Sequence, residues 1–439
     1  MRKPDIRTGP RHPRIAAAGY EITRRLSERA LASRGLHKVN GEFAQATIAS
    51  IRERLQRGET IYIAGLACPG THNTGVALVE VTQKDGPRLI VNNEEERFSG
   101  NKHTNEFPQH ALDDMRKVLR RMGRDIGDVA AFVTTWDYPA LLPMLIRTSL
   151  EEAPASIKLL RAPIAPAINL RQMDQVRRIS RRLGKMYGLG EQLPLICMPH
   201  HDNHAWYSFT ASPFADLRER VAIAVLDGTG DVGSISLYVA ENGEMKRLYC
   251  NESLFDSLGA FYTVISSSQG GWTWLSSEGR YMGAAAWGDM NRATNPYYQR
   301  LKAVLQLGPE GRVQLNRAMA NWFADPADNP YKQPLIDILG PPLRPDQLWN
   351  PDAVLRVEDI NHRPDTKDRV DKAAATQLVF EDAMIHVIDH LLRITGTDRL
   401  VLTGGVALNA LGNMRLLEHF DEAWFEQAQQ RKTRLHMWV

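Results

Sequence analysis

The densest group of reactive side chains is "MPHHDNHAWYSF" at 198–209, where His200, His201, Asp202 and His204 fall within five positions. Neutral imidazole is a good ligand for iron, zinc, manganese or nickel. His200 ends the apolar stretch "LPLICMP", and His204 lies in the first turn of a helix that Asp202 can cap. A strand-to-helix corner of this kind converges two imidazoles on one ion. Two histidines do not complete a site, so a carboxylate or water has to come from elsewhere. A surface helix with solvated histidines has the same pattern, and His201 is expected to pack nearby or face solvent.

Three glycine-bearing turns are the other candidates. "LDGTGDVGS" (226–234) follows the apolar "VAIAV". There Asp227 can hold a hydrated metal, and Gly228 and Gly230 let backbone N–H groups approach an anion. A β-hairpin with an Asp-Gly turn reads the same way. "VLTGGVALN" (401–409) is a strand, then Gly404 and Gly405, then small residues up to Asn409 opening a helix. A nucleotide can sit against such a backbone, although the stretch fits neither G-x-G-x-x-G nor the P-loop pattern. In "GLACPGTHNTGVALVE" (65–80), His72 occupies a turn between two strands, where a lone histidine is more often simply solvated.

Alternating strands and helices position these turns. Strands are expected at 61–66, 74–81, 88–98, 128–136 and 193–199, and helices at 108–123 and 371–395. Residues 220–249 read as three strands joined by turns, and 399–405 as a strand ending in glycines. The pattern argues for an α/β architecture with mixed sheets. Residues 1–58 read as a basic helical extension, and 137–190 as a helical, basic insertion. The region 324–366 is proline-rich.

The 439 residues are 43% hydrophobic, enough for one large core or two moderate ones. With 54 basic against 51 acidic side chains, the formal charge of +3 gives no argument for nucleic acid. The three cysteines, Cys68, Cys197 and Cys250, are far apart and have no C-x-x-C spacing. A disulfide framework or thiolate zinc site is not expected, and a reducing cytoplasm fits. No apolar run reaches the roughly 18–20 residues that span a bilayer, so no membrane partner is expected.

Seven stretches occur in a fixed order: "GLACPGTHNTGVALV", "EEERFSGNKHTNEFP", "HHDNHAWYSFTASPF", "LDGTGD", "SLGAFYTVIS", "EGRYMGAAAWG" and "GGVALN". Together they resemble the NodU/CmcH-type O-carbamoyltransferases, over about residues 60–439. The resemblance implies the duplicated actin-like/Hsp70-like ATPase fold. It places a first half at 59–235 and a second half at 236–439, incomplete before its last motif. It implies transfer of a carbamoyl group from carbamoyl-adenylate, made from carbamoyl phosphate and ATP, to a hydroxyl of a small-molecule acceptor.

Carried over by position, His72 is the base, and His200 and His204 bind Fe2+ or another divalent cation. Asp227, Gly228 and Gly230 match the phosphate and metal turn, and Gly404, Gly405 and Asn409 the nucleotide turn. In the family a carboxylate ligand follows "GGVALN", and a YrdC-like domain makes the carbamoyl-adenylate. Both are expected to be missing from these 439 residues, so a separate YrdC-like partner is implied. Arg280 stands in "EGRYMG" where the family usually carries lysine. The competing expectation is a catalytically incomplete nucleotide-binding remnant, or one half of a split enzyme. A sugar kinase of the same superfamily is disfavoured, because such kinases use an aspartate base and Mg2+.

Overall fold

The computed structural model describes residues 5–68, 73–161, 170–190, 192–215, 218–322, 325, 328–347 and 356–439. Among them, the first sheet is built from β1 (Leu36–Lys38), β2 (Ile61–Ala67), β3 (Gly75–Thr82), β4 (Gly86–Glu94), β5 (Val129–Thr134) and β6 (Leu195–Cys197). Its order is β1-β6-β5-β2-β3-β4. The second sheet uses β7 (Val221–Leu226), β8 (Ile235–Glu241) and β9 (Glu244–Cys250). A separate hairpin of β10 (Leu305–Leu307) and β11 (Val313–Leu315) follows, before β12 (Arg399–Thr403) and β13 (His436–Trp438). The order in the second sheet is β13-β12-β7-β8-β9.

The two sheets repeat one plan. In each, three strands form an antiparallel meander (β2-β3-β4; β7-β8-β9), and two more add in parallel on the other side (β5, β6; β12, β13). Parallel neighbours need long crossovers, and helices supply them. This is the duplicated actin-like ATPase architecture. The second sheet has five strands in the same order as β6-β5-β2-β3-β4 of the first, with the short β13 pairing beside β12.

Two expectations about boundaries differ from what is observed. Residues 1–58 are helical at Pro13–Ala32 and Glu42–Gln56, but β1 between them pairs in parallel with β6 at the edge of the first sheet. The helix Pro13–Ala32 packs along the helix Tyr138–Glu151 and buries Ala16 and Leu31. The segment is therefore built into the first half rather than extending from it. The division between the sheets falls between residues 211 and 221, not at 235/236. "VAIAVL" is β7, every residue of it buried, and it is the central strand joining β8 to β12. Among the described residues of 137–190 are the helices Tyr138–Glu151, Leu170–Val176 and Ile179–Tyr187.

The long helix Pro364–Thr395 forms the spine of the second half. It buries Val370, Ala374, Leu378, Met384 and Leu391 against the helices Leu258–Gly270 and Ser277–Ala285 and the underside of β7.

One ion cluster joins the halves. Arg317 is fully buried and bonds Glu151 Oε2 at 3.1 Å, Glu152 Oε1 at 3.0 Å and Ser253 Oγ at 3.0 Å. Arg7 clamps Glu152 with two bonds of 2.8 and 3.0 Å. Removing one partner from such a cluster leaves a buried charge uncompensated. Arg317→Met is therefore expected to lower unfolding free energy by about 3–5 kcal/mol in urea titration; a loss under about 1 kcal/mol would contradict it.

Asp256 is also buried, which pushes its carboxyl up to about 7 despite Arg317 and the Leu315 amide. The folded state then keeps a proton that the unfolded chain has already released. The stability from this group is present below the unfolded carboxylate range and is lost as pH rises towards 7. Asp256→Asn should thus gain stability relative to the parent between pH 5 and pH 8, by about 1–3 kcal/mol. A pH-independent difference in denaturation midpoints would refute this.

Candidate metal centre and nucleotide turn

Strand ends create the site. β7 and β12 are parallel, with Thr403 opposite Val225, so the residues that follow them emerge side by side. Asp227 follows β7 and Gly404-Gly405 follows β12. The Gly405 amide donates to Asp227 Oδ1 at 3.0 Å, and the Gly228 amide donates to the same oxygen at 2.7 Å. Gly404 has φ +91°, and a Cβ there would lie 2.3 Å from the Leu226 carbonyl oxygen. Only glycine fits both constraints. The turn is closed from below by Ser257, whose hydroxyl donates to the Gly228 carbonyl at 2.8 Å and caps the helix Leu258–Gly270. Gly259 brings that helix so near that a Cβ on it would lie 2.6 Å from Gly228 Cα.

The histidines arrive from the other sheet. β6 delivers the chain to Pro199, and the helix His200–Ala211 begins at once. His200 Nδ1 lies 3.0 Å from the Thr135 carbonyl, just past β5. A carbonyl only accepts, so Nδ1 carries a proton, and in the neutral tautomer Nε2 presents its lone pair. That Nε2 is 3.2 Å from Asp227 Oδ2, and His204 Nε2 is 3.4 Å from the same oxygen. The two rings meet edge to face, 4.7 Å between centroids. Trp136 stacks on His200 at 4.0 Å, nearly parallel.

A carboxylate oxygen facing an imidazole lone pair is repulsive unless a cation or proton lies between them. The donor atoms of His200, His204 and Asp227 lie within 4.8 Å of one another, the spacing of one shared ion. Burial alone would raise the Asp227 carboxyl, but positive charge shared with the facing rings of His200 and His204 holds it well below the usual carboxylate range. Asp227 thus places a carboxylate at the corner where the two histidines meet.

The remaining sequence candidates have these places. His72 lies outside the described residues. Gly230 is boxed in, since a Cβ would sit 2.6 Å from both the Gly233 carbonyl oxygen and His201 Nε2. Asn409 is buried; its Oδ1 caps the helix Ala410–His419 at the Gly412 amide, and its amide pairs reciprocally with Gln377 at 3.0 Å. It supports the turn from behind. His201 packs inward as expected, 2.7 Å from Ser236 Oγ, and burial depresses it to about 3, so it is neutral near pH 7.

The sequence reading missed Asp231 and Trp136. Asp231 is buried, and its carboxylate accepts the amide N–H of His200 and, at 3.0 Å, that of Asp137. It stands inside the quoted turn "LDGTGD", where a second carboxylate was a visible signal. Trp136 carried none.

The family model described as Carbamoyltransferase N-terminus matches residues 63–430. Among curated relatives, an uncharacterized protein of Synechocystis sp. is 27% identical over 81% of this chain and 53% of its own length. The nodulation protein NolNO of Sinorhizobium fredii is 26% identical over 79% of this chain and 44% of its own. The chain thus spans about half the length of the curated relatives it matches. Similar solved structures include a putative N-acetylmannosamine kinase from Listeria monocytogenes, 13% identical over 86% of this chain and 93% of that one, TM-score 0.34. HypF of T. kodakarensis is 14% identical over 82% of this chain and 44% of that one, TM-score 0.31.

The close fit at Gly404 generates a test. Gly404→Ala combines a strained φ with a backbone collision and should cost about 1–3 kcal/mol by urea denaturation. A variant as stable as the parent would show that the β12 turn is not packed against Leu226 as described.

Proposed function

The chain belongs to the carbamoyltransferase N-terminus family, and we propose that it carries out the transfer step from carbamoyl-adenylate to a hydroxyl of a small-molecule acceptor. The observation that carries this reading is the convergence of His200, His204 and Asp227 on one point beside the Gly404-Gly405 turn. Two neutral imidazoles and one carboxylate suit Fe2+ or another divalent cation. The anchored Nδ1 of His200 supports the fit, since metal-binding histidines commonly donate their other N–H to a carbonyl. A bound divalent ion would polarise the carbamoyl carbonyl and offset charge on the leaving phosphate.

The chain's own residues supply the rest. In this reading the adenylate lies against the Gly228 backbone, where a Cβ would meet nothing within 4 Å, while Gly230, Gly404 and Gly405 let the turns pack closely around it. Asp227 links that turn to the histidines. The acceptor oxygen attacks the carbamoyl carbon, the bond to the adenylate phosphate breaks, AMP departs, and the hydroxyl proton goes to a base. His72 is the residue proposed for that base, because an alcohol with a pKa far above 7 must lose its proton as it attacks. Carbamoyl-adenylate, made from carbamoyl phosphate and ATP, would come from a YrdC-like partner.

A second reading is a nucleotide-binding half that needs another chain to act. The coverage of only about half of the curated relatives favours keeping it. Incubating the chain with Fe2+, synthetic carbamoyl-adenylate and a panel of alcohols separates the two. A carbamoylated product in the mass spectrum supports transfer. No product, with or without an added YrdC-like domain, defeats the transfer reading.

For the metal, His204 is about one-third exposed, so His204→Ala should fold while its iron affinity falls by about tenfold or more, as should that of Asp227→Asn. Iron content equal to the parent in both variants would remove the assignment.

A further inference from the structure

The region matched to the family begins at residue 63, yet the strand before it touches the site. β1 pairs along β6, with Lys38 opposite Cys197, and the Val39 amide donates to the Cys197 carbonyl at 3.1 Å. β6 is the strand that presents His200. The Lys38 ammonium lies 3.5 Å from Asp137 Oδ2 and bonds Glu28 Oε1 at 3.0 Å. Asp137 is buried, and its other carboxylate oxygen has no hydrogen-bond partner. The Asp137 amide donates to Asp231 Oδ1 at 3.0 Å, and the His200 amide donates to Asp231 Oδ2. An unbroken path thus runs from Glu28 and Lys38, through Asp137 and Asp231, to the backbone of His200.

We propose that Lys38 is a positioning residue for the His200–His204–Asp227 centre, acting through the buried carboxylates of Asp137 and Asp231. Its relevance to catalysis rests on the carbamoyl-transfer reading; its effect on His200 does not. Without the ammonium, Asp137 has no cation beside it and one oxygen already unpaired. A buried carboxylate in that state turns towards water or another donor. The turn pulls its own amide off Asp231, and Asp231 loses one of the two bonds that fix it under His200. The imidazole then points less closely at Asp227.

The test uses the full chain as Lys38→Met and Lys38→Arg. Hydrogen exchange at the Asp137 and His200 amides, read by mass spectrometry or TROSY NMR, should quicken several-fold in the Met variant and return in the Arg variant. Titration with Co2+, followed by its visible absorption, should show weaker binding by about tenfold and a changed spectrum for Met only. A purely structural role would lower the melting temperature and leave the spectrum of the bound ion as in the parent. Unchanged exchange at both amides in Lys38→Met overturns the proposal. If the parent takes up no Co2+, the metal reading fails while the exchange comparison still decides this one. Should Lys38→Met not fold, Lys38→Gln carries the same comparison.

Discussion

The arrangement depends on how the two oxygens of one carboxylate are used. Asp227 Oδ1 is held by two backbone amides, from Gly228 and Gly405. Oδ2 is left to face two imidazoles, His200 and His204. Burial would raise this carboxyl, and the facing His200 and His204 hold it well below the usual carboxylate range, while the two amides fix its orientation. The fixed oxygen sets the direction of the free one. Because the two amides come from different strand ends, Asp227 is placed only when β7 and β12 are in register.

The duplicated sheets make that register possible. In each half a three-stranded meander fixes the central strand, and parallel strands added beside it end at the same edge. The second sheet contributes Asp227 and the two glycines. The first contributes His200, through β6, and the Thr135 carbonyl and Trp136, through β5. The site is therefore a seam between halves. Two further contacts hold the seam: Asp231, whose carboxylate crosses from the second sheet to two amides of the first, and the Arg317 cluster at the far end of the helix Tyr138–Glu151. Buried ion pairs contribute little net stability against apolar substitutes, but they penalise misalignment heavily. That suits a joint whose geometry matters.

The N-terminal segment shows how composition can mislead. Its arginines and periodicity read as a helical extension, and two helices are present. Yet β1 is only three residues long, within a stretch whose flanking pattern is helical. Short edge strands have no periodicity to read, and their partner, β6, lies about 160 residues away. The boundary at 235 erred for a related reason. "LDGTGDVGS" looks like an ending, but β7 before it and β8 after it are one hairpin, and hairpin pairing assigns both to the same sheet.

Local information determined much of this protein. Apolar runs gave most of the strands, 3.6-residue periodicity gave the long helices, and the ordered motifs gave the family. His200 and His204 were identifiable from their spacing on a helix that starts at a strand end, and Gly404 from the strand before it. Tertiary structure decided which carboxylate meets the histidines, since Asp227 is 23 residues beyond His204 and on a different sheet. It also decided that Asn409 faces Gln377, that His201 turns inward, and that Asp231 and Lys38 reach the site. These outcomes follow from strand register and from hydrogen bonds between segments far apart in the chain. Neither leaves a periodic trace in the sequence, because each depends on where another strand ends.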